Sequence, residues 1–390
     1  MPKYPDFHEF FTDFKSDSKI FANYYYLTPE YNPQKLFGRE TQLKKIWSEV
    51  KYALQRRIPL KNFFLYGFPG TGKTATINLI IKEIIQWAQQ NNVLVPNICV
   101  NNCAIYNTPY RILRDICNHF KVYLPQSGIS TEDAYTRILK IMERQKQSQF
   151  ILILDELDFL FKNKKVANNF LYKLIRNPLS KQESSYISII GITNEIKLID
   201  LFDERVKSSF TPEKIYFPPY SALELQKILY TRAEKAFKPY VLASGTIELI
   251  AGHFAQLDGD CRKSLAILRI AGEIADKHQD SQVTERHVKI ALKDYIKTQT
   301  RELIQSLPYQ SKIILQSIRN LQRKKQPQSL ITGNIYKEYM ILCKKLNCHV
   351  LSMRHFSNHL KNLEKLDLIN IEYLYRGKKG NTRKITFYFS

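Results

Sequence analysis

The sequence predicts an α/β chain: a parallel sheet with a Gly-rich turn after its first strand, then an all-helical segment, then a C-terminal winged helix-turn-helix. Three observations carry that expectation. An apolar strand runs straight into glycines and a helix at residues 63–75, a five-residue apolar run from Phe150 to Leu154 ends on two acids, and from about residue 298 short helices lead into an alternating hairpin.

Bulk properties set the frame. A chain of 390 residues exceeds one core of ordinary size and implies two or three domains, and 44% hydrophobic content is ample for burial. No apolar run approaches the roughly 18 residues of a membrane span, and the N-terminal "MPKYPDFHEFFTDF" lacks an apolar stretch with a cleavage site, so no membrane partner and a cytoplasmic, nucleoid-associated protein are expected. Six cysteines show no paired framework, and the set Cys343, Cys348, His349, His355 and His359 fits no common zinc spacing. The formal charge of +23 favours a polyanionic partner. Residues 301–390 hold 17 Lys/Arg against 5 Asp/Glu, so about half the net charge sits in under a quarter of the chain.

The first strand opens "FFLYGFPGTGKT", residues 63–74. Strand, glycines, Lys73 and Thr74, then a helix from Ala75, is a phosphate loop in its proper context. Gly70, Thr71, Gly72 and Ala75 would turn backbone amides around phosphates at the positive end of the helix. Lys73 would reach the β- and γ-phosphates and the Thr74 hydroxyl would ligate Mg²⁺. The run "QFILILDELDFL" (149–160) reads as a strand buried on both faces. At its end Asp155 would hold Mg²⁺ through water, and Glu156 would orient or deprotonate the attacking water. A third strand, "YISIIGITN" (186–194), ends on Asn194, a polar side chain for the γ-phosphate or the water.

The order of these motifs resembles the AAA+ ATPases. "VNNCAIYNTPYRIL" (100–113), "LFDERVKSSF" (201–210), "IYFPPYSALELQKILYTRAEKAF" (215–237) and "GDCRKSLAILRIAGEIA" (259–275) bring it closer still, to the archaeal-type replication-origin recognition proteins, relatives of the eukaryotic origin recognition subunits and of the helicase loader. The resemblance runs from about residue 28 to the C-terminus. It implies an α/β AAA+ P-loop ATPase with an all-helical lid and a winged helix-turn-helix domain, divided as an N-terminal extension (1–27), ATPase base (28–220), lid (221–297) and winged helix (298–390). It also implies ATP or ADP as ligand. Arg39 in "FGRE" resembles the box near the adenine, Tyr220 and Arg232 the lid-side nucleotide contacts, and Arg262 the second sensor on the γ-phosphate. Arg205 falls at the arginine-finger position, which would neutralise charge in the transition state. Some relatives carry a further arginine where this chain has Ser209.

The C-terminal segment is read from its own residues. "LSMRHFSNHLKNLEKLDLI" (351–369) begins at Ser352 as N-cap, with Phe356, Leu360 and Leu363 on the core face. Arg354, His355, Asn358, His359 and Lys361 lie mostly on the other faces, and such a helix enters a major groove. In the hairpin that follows, Gly377 and Gly380 permit close backbone approach, while Lys378, Lys379 and Arg383 supply charge along a duplex. The resemblance adds a second DNA contact, a helical insertion at about 108–132.

Together these predict an ATP-binding, slowly hydrolysing initiator of DNA replication on double-stranded origin DNA, with recruitment of a replicative helicase as output and self-association on DNA. The alternatives are an ATP-liganded DNA-binding regulator, or an AAA+ switch ATPase whose winged helix binds protein.

Overall fold

The structure, a computed structural model, describes residues 18–144, 149–176, 186–323, 330–375 and 381–387. Lys378 and Lys379, at the predicted wing tip, lie outside the described residues. The chain divides into two compact units, Met1–Ala291 and Leu292–Ser390.

The first unit is built on a five-stranded sheet. In chain order its elements begin with α1 (Glu40–Arg56), β1 (Phe63–Tyr66), α2 (Lys73–Gln90), β2 (Asn97–Asn102), α3 (Pro109–His119) and α4 (Thr131–Arg144). They continue with β3 (Gln149–Asp155), α5 (Lys164–Ile175), β4 (Tyr186–Thr193), α6 (Glu204–Ser209) and β5 (Glu213–Tyr216). The strand order is β2-β3-β4-β1-β5 and every pairing is parallel. Strand β3 is interior to the sheet and covered on both sides, which is why its apolar run is unbroken. Phe150, Leu152 and Leu154 enter one core with Ile112 and Leu171, while Ile151 and Ile153 enter the other with Ile77 and Ile80. β1 and β3 therefore end at the same edge, where the Gly-rich turn and the paired acids follow them.

Four helices complete the first unit's all-helical part and the passage out of it: α7 (Ala222–Ala236), α8 (Thr246–Leu257), α9 (Cys261–Lys277) and α10 (Glu285–Ser306). Ser221 and Glu224 form a reciprocal capping box on α7, and Asp260 caps α9 by accepting from the amides of Arg262 and Lys263. The division between the units falls inside α10.

The second unit contains α11 (Tyr309–Arg323), α12 (Thr332–Lys345), α13 (Met353–Lys365) and an antiparallel hairpin of β6 (Ile369–Tyr375) and β7 (Asn381–Phe387). Its core is made of Tyr339, Phe356, Leu360, Leu363 and Ile385 with the apolar face of α11. A bridge between Ile331 and Lys384 ties the start of α12 to the hairpin. Among the described residues no helix is long and apolar enough to cross a membrane.

Candidate functional site

A cavity of about 630 Å³ opens at the C-terminal edge of β1 and β3, between the sheet, the phosphate loop and the helical lid. Gly70, Gly72, Lys73, Thr74, Ala75, Asp155, Glu156, Tyr220, Arg232 and Arg262 all line it, so residues from five stretches of sequence meet there. Its size suits a nucleotide.

The floor is set by α2. Gly72 caps that helix at φ +88°, and a Cβ there would lie 2.5 Å from the Tyr220 hydroxyl. Lys73 is buried and donates to the carbonyls of Gly67 (2.9 Å) and Phe68 (2.8 Å). Burial, and then the Arg262 cation, push its ammonium down to about 8. Such a lysine is poised to gain from an anion. The Thr74 hydroxyl donates to Asp155 at 2.8 Å, and the other oxygen of that carboxylate accepts the Glu156 amide at 2.8 Å. A hydroxyl and a carboxylate held together are hard oxygen ligands of the kind Mg²⁺ takes in small number, so the pair fits that ion. Glu156 itself sits at φ +53°, a left-handed conformation that a non-glycine residue adopts at a cost.

Four predicted residues stand elsewhere. Arg39 does not line the cavity. It is fully buried, its Nε donates to the Thr71 carbonyl (2.7 Å), its Nη2 to the Pro218 carbonyl (2.6 Å), and its guanidinium stacks 3.7 Å from the Tyr220 ring centroid. It thus pins the phosphate loop to the strand-to-lid connection. Thr71, also buried, donates to the Phe68 carbonyl at 2.8 Å within the loop. Asn194 stays beside the 3-10 turn after β3, its amide donating to Asp158 at 3.4 Å. Arg205 is exposed, paired with Asp203 at 2.8 Å and lying over the Tyr172 ring. Arg176 covers the same ring and its Nε donates to Ser209 at 3.4 Å, so a second cation stands beside Ser209.

Sequence reasoning missed one wall. Ten of the eleven residues from Leu27 to Phe37 line the cavity. Just before them, Phe21 pairs with Phe237 as a bridge, and the amides of Ala22 and Asn23 donate to the Ala236 carbonyl. Lys19 and Ile20 donate to Asp276, and Tyr24 donates to Glu273 at 2.6 Å. Arg232 reaches the Tyr26 carbonyl at 3.1 Å with Tyr31 beneath its guanidinium. The segment is a strap, held on the lid at one end and continuing to Arg39 at the other. Its run of tyrosines was the available signal.

On the second unit, α13 offers Arg354, His355, Asn358 and Lys361 to solvent. His359 is not part of that face. It is half-buried, its Nδ1 lies 2.8 Å from the Ser311 hydroxyl, and burial lowers its pKa, with His355 adding to the effect. Arg383 on β7 stacks on Tyr373 of β6, its cross-strand partner, at 5.2 Å. Back on the first unit, residues 108–132 form α3 and a loop leading to α4, with Tyr123 strongly exposed.

Among the described residues His278, Asp280 and His287 are the one trio of such side chains close enough to share a metal ion. The Thr284 amide donates to Nδ1 of His287 at 3.1 Å, so Nε2 carries the proton and donates to Asp280 at 2.9 Å. That imidazole is a helix cap, and no lone pair faces the other two residues.

Comparison with known proteins gives the family. Residues 63–218 match the AAA family model, "ATPase family associated with various cellular activities", residues 226–293 the Cdc6 AAA+ ATPase-type lid domain, and residues 302–389 the CDC6 C-terminal winged helix domain. The chain is 37% identical to an ORC1-type DNA replication protein of Pyrococcus abyssi over 94% of its own length and 87% of that protein's. The chain belongs to the ORC1-type DNA replication protein family. An ORC1-type DNA replication protein 1 of Sulfurisphaera tokodaii is 36% identical over 95% of this chain and 90% of that protein. The Aeropyrum pernix ORC1 protein, solved in complex with DNA, superposes with a TM-score of 0.76 at 33% identity, covering 95% of this chain and 94% of that one. The ORC1-type fold thus accounts for all three parts of the chain: a parallel α/β ATPase-type base, a helical lid and a winged helix.

Proposed function

We propose that this ORC1-type protein is an ATP-dependent initiator of DNA replication that binds duplex origin DNA. The similarity to the Aeropyrum pernix protein solved with DNA, over nearly the whole chain, carries this reading. The exposed cationic face of α13 and the charge surplus of residues 301–390 support it. Arg354, His355, Asn358 and Lys361 would face the major groove, with Arg383, Lys378 and Lys379 along the backbone. The 108–132 insertion would give a second contact.

In the cavity, Lys73 and Arg262 would neutralise a triphosphate, and Tyr220, Arg232 and the strap would enclose the remainder of ATP or ADP. Mg²⁺, held by Thr74 and Asp155, would offset phosphate charge. Glu156 would take the proton of an attacking water, Asn194 would position it, and Arg205 would serve a second copy's site on DNA. Arg39 acts through the loop it pins. The domain limits 1–27, 28–220, 221–297 and 298–390, and helicase recruitment as the output, complete the proposal.

The test is to incubate the protein and ATP with sheared host DNA, recover bound fragments and sequence them. A few sharply enriched loci with repeated sites support an initiator. Even coverage that disappears with modest salt overturns it in favour of a switch whose winged helix binds protein.

A further inference from the structure

We propose that Cys343 and Cys348 are a redox-modification site, joining as a reversible disulfide that fastens the end of α12 at the turn leading into α13. The inference does not depend on the DNA-binding reading.

The local backbone brings the two residues together. Helix α12 ends at Lys345, Leu346 is its C-cap, and Asn347 follows in the left-handed conformation at φ +50°. The Cys348 amide donates to the Cys343 carbonyl at 3.0 Å and the Asn347 amide to the Lys344 carbonyl at 3.3 Å. That is the paired-bond helix stop in which the residue after the left-handed one packs on the residue three before the end, commonly as an apolar contact. Here both contact residues are cysteines. Cys348 Sγ turns back to donate to the Cys343 carbonyl at 3.6 Å, so its side chain lies against Cys343. Disulfides span Cα separations of about 4.4–6.8 Å, a range suited to residues joined by a direct backbone hydrogen bond.

The two sulfurs differ in access, which orders the chemistry. Cys343 is fully buried and burial raises its pKa, whereas Cys348 is half-buried. With hydrogen peroxide as oxidant, the Cys348 thiolate attacks one oxygen, the O–O bond breaks, and the departing hydroxide is protonated to water. Cys343 then attacks the sulfur of the Cys348 sulfenic acid, the S–O bond breaks, and the hydroxide released takes the Cys343 proton. Two thiols and one peroxide become one disulfide and two waters, and a dithiol reverses the change. Elsewhere the thiols are less able to react. Cys99, Cys103 and Cys117 are buried, and burial pushes them up to about 12, 12 and 11; Cys261 is held at about 12 the same way.

The bond would act on the turn between the two helices. Leu351, at the far end of that turn, is already held to α12: its amide donates to the Tyr339 hydroxyl at 3.2 Å and its carbonyl accepts from Tyr336 at 2.8 Å. A disulfide at Cys348 would secure the near end as well.

The test treats the full-length protein with peroxide, denatures it in the presence of an alkylating agent to block the remaining thiols, and maps the peptides by mass spectrometry, with hydrogen exchange on the folded protein run in parallel. The expected result is a Cys343–Cys348 linked peptide reversed by dithiothreitol, alkylatable thiols at Cys99, Cys103 and Cys117, and amide exchange across 346–351 slowed about tenfold. The Cys348→Ser variant, checked for native circular dichroism, should leave Cys343 reduced and exchange unchanged by peroxide. Sulfinic acid on Cys348 with Cys343 still alkylatable, or a link between other cysteines, overturns the proposal.

Discussion

Gly70 and Asp260 meet across the seam between the phosphate loop and the lid: a Cβ on Gly70 would lie 1.8 Å from Oδ1 of Asp260, and the adjacent Cys261 amide donates to the Gly70 carbonyl at 3.2 Å. The same carboxylate caps α9. Gly70→Ala must therefore displace the lid helix and place alanine at φ +71°, where the backbone alone costs about 1–2 kcal/mol. Chemical denaturation should show a loss of at least about 2 kcal/mol, and titration with a fluorescent ATP analogue should show little binding. Asp260→Ala, which removes only the cap, should lose about 1 kcal/mol.

Lys73 gives nucleotide binding a pH signature. In the free protein its pKa is near 8, lowered by burial first and by Arg262 second, and bound phosphates would raise it. Below that value the lysine is charged in both states, and affinity is level. Above it, binding must take up a proton, so affinity falls with rising pH by up to about tenfold per unit until the bound-state pKa is reached. Isothermal titration in buffers of different ionisation enthalpy should detect no proton uptake from Lys73 at about pH 6.5 and uptake at about pH 9.

Gly272 bears the strap. A Cβ there would come within 2.5 Å of the Phe21 ring and 2.8 Å of Phe237. Gly272→Ala should lift residues 19–26 from the lid, raising trypsin cleavage after Lys19 and weakening ATP-analogue binding, although no atom of Gly272 lines the cavity. Overpacking of this kind costs about 1–3 kcal/mol. Unchanged cleavage and affinity would separate the strap from nucleotide retention.

Arg354→Ala and Lys361→Ala should each weaken duplex binding. Where either side chain meets a phosphate, its removal should reduce the slope of log K against log salt by roughly 0.9. His359→Ala should act differently, lowering stability because the Ser311 hydroxyl is left without its imidazole partner, while the salt slope stays unchanged. Salt-series anisotropy and thermal melts on the three variants test this together.

The site was legible in sequence where one stretch carried its own pattern. The phosphate loop and the β3 acids were readable because a strand buried on both faces is unmistakably apolar, and because a glycine turn followed by Lys-Thr imposes its geometry locally. The strap was not, since "YYYLTPEYNPQKLF" has neither helical nor strand period, and its partners Ala236, Glu273 and Asp276 lie more than 200 residues away. The resemblance of "FGRE" to the family's box near the adenine implies a place at the nucleotide, yet Arg39 is buried among carbonyls. That burial depends on the Pro218 connection, which local sequence does not disclose. His359 sits at the edge of an amphipathic face, and Ser311, 48 positions earlier, decides which way it turns.

The strap also bears on time. Residues 19–26 are tied to the lid and Arg39 to the phosphate loop, so residues 27–37 hold one wall of the cavity between two moorings. Local unfolding of that strap would add a route to release beside the breaking of phosphate contacts. Nucleotide exchange would then gain in temperature dependence, and anything that binds residues 19–26 would slow it from outside the cavity.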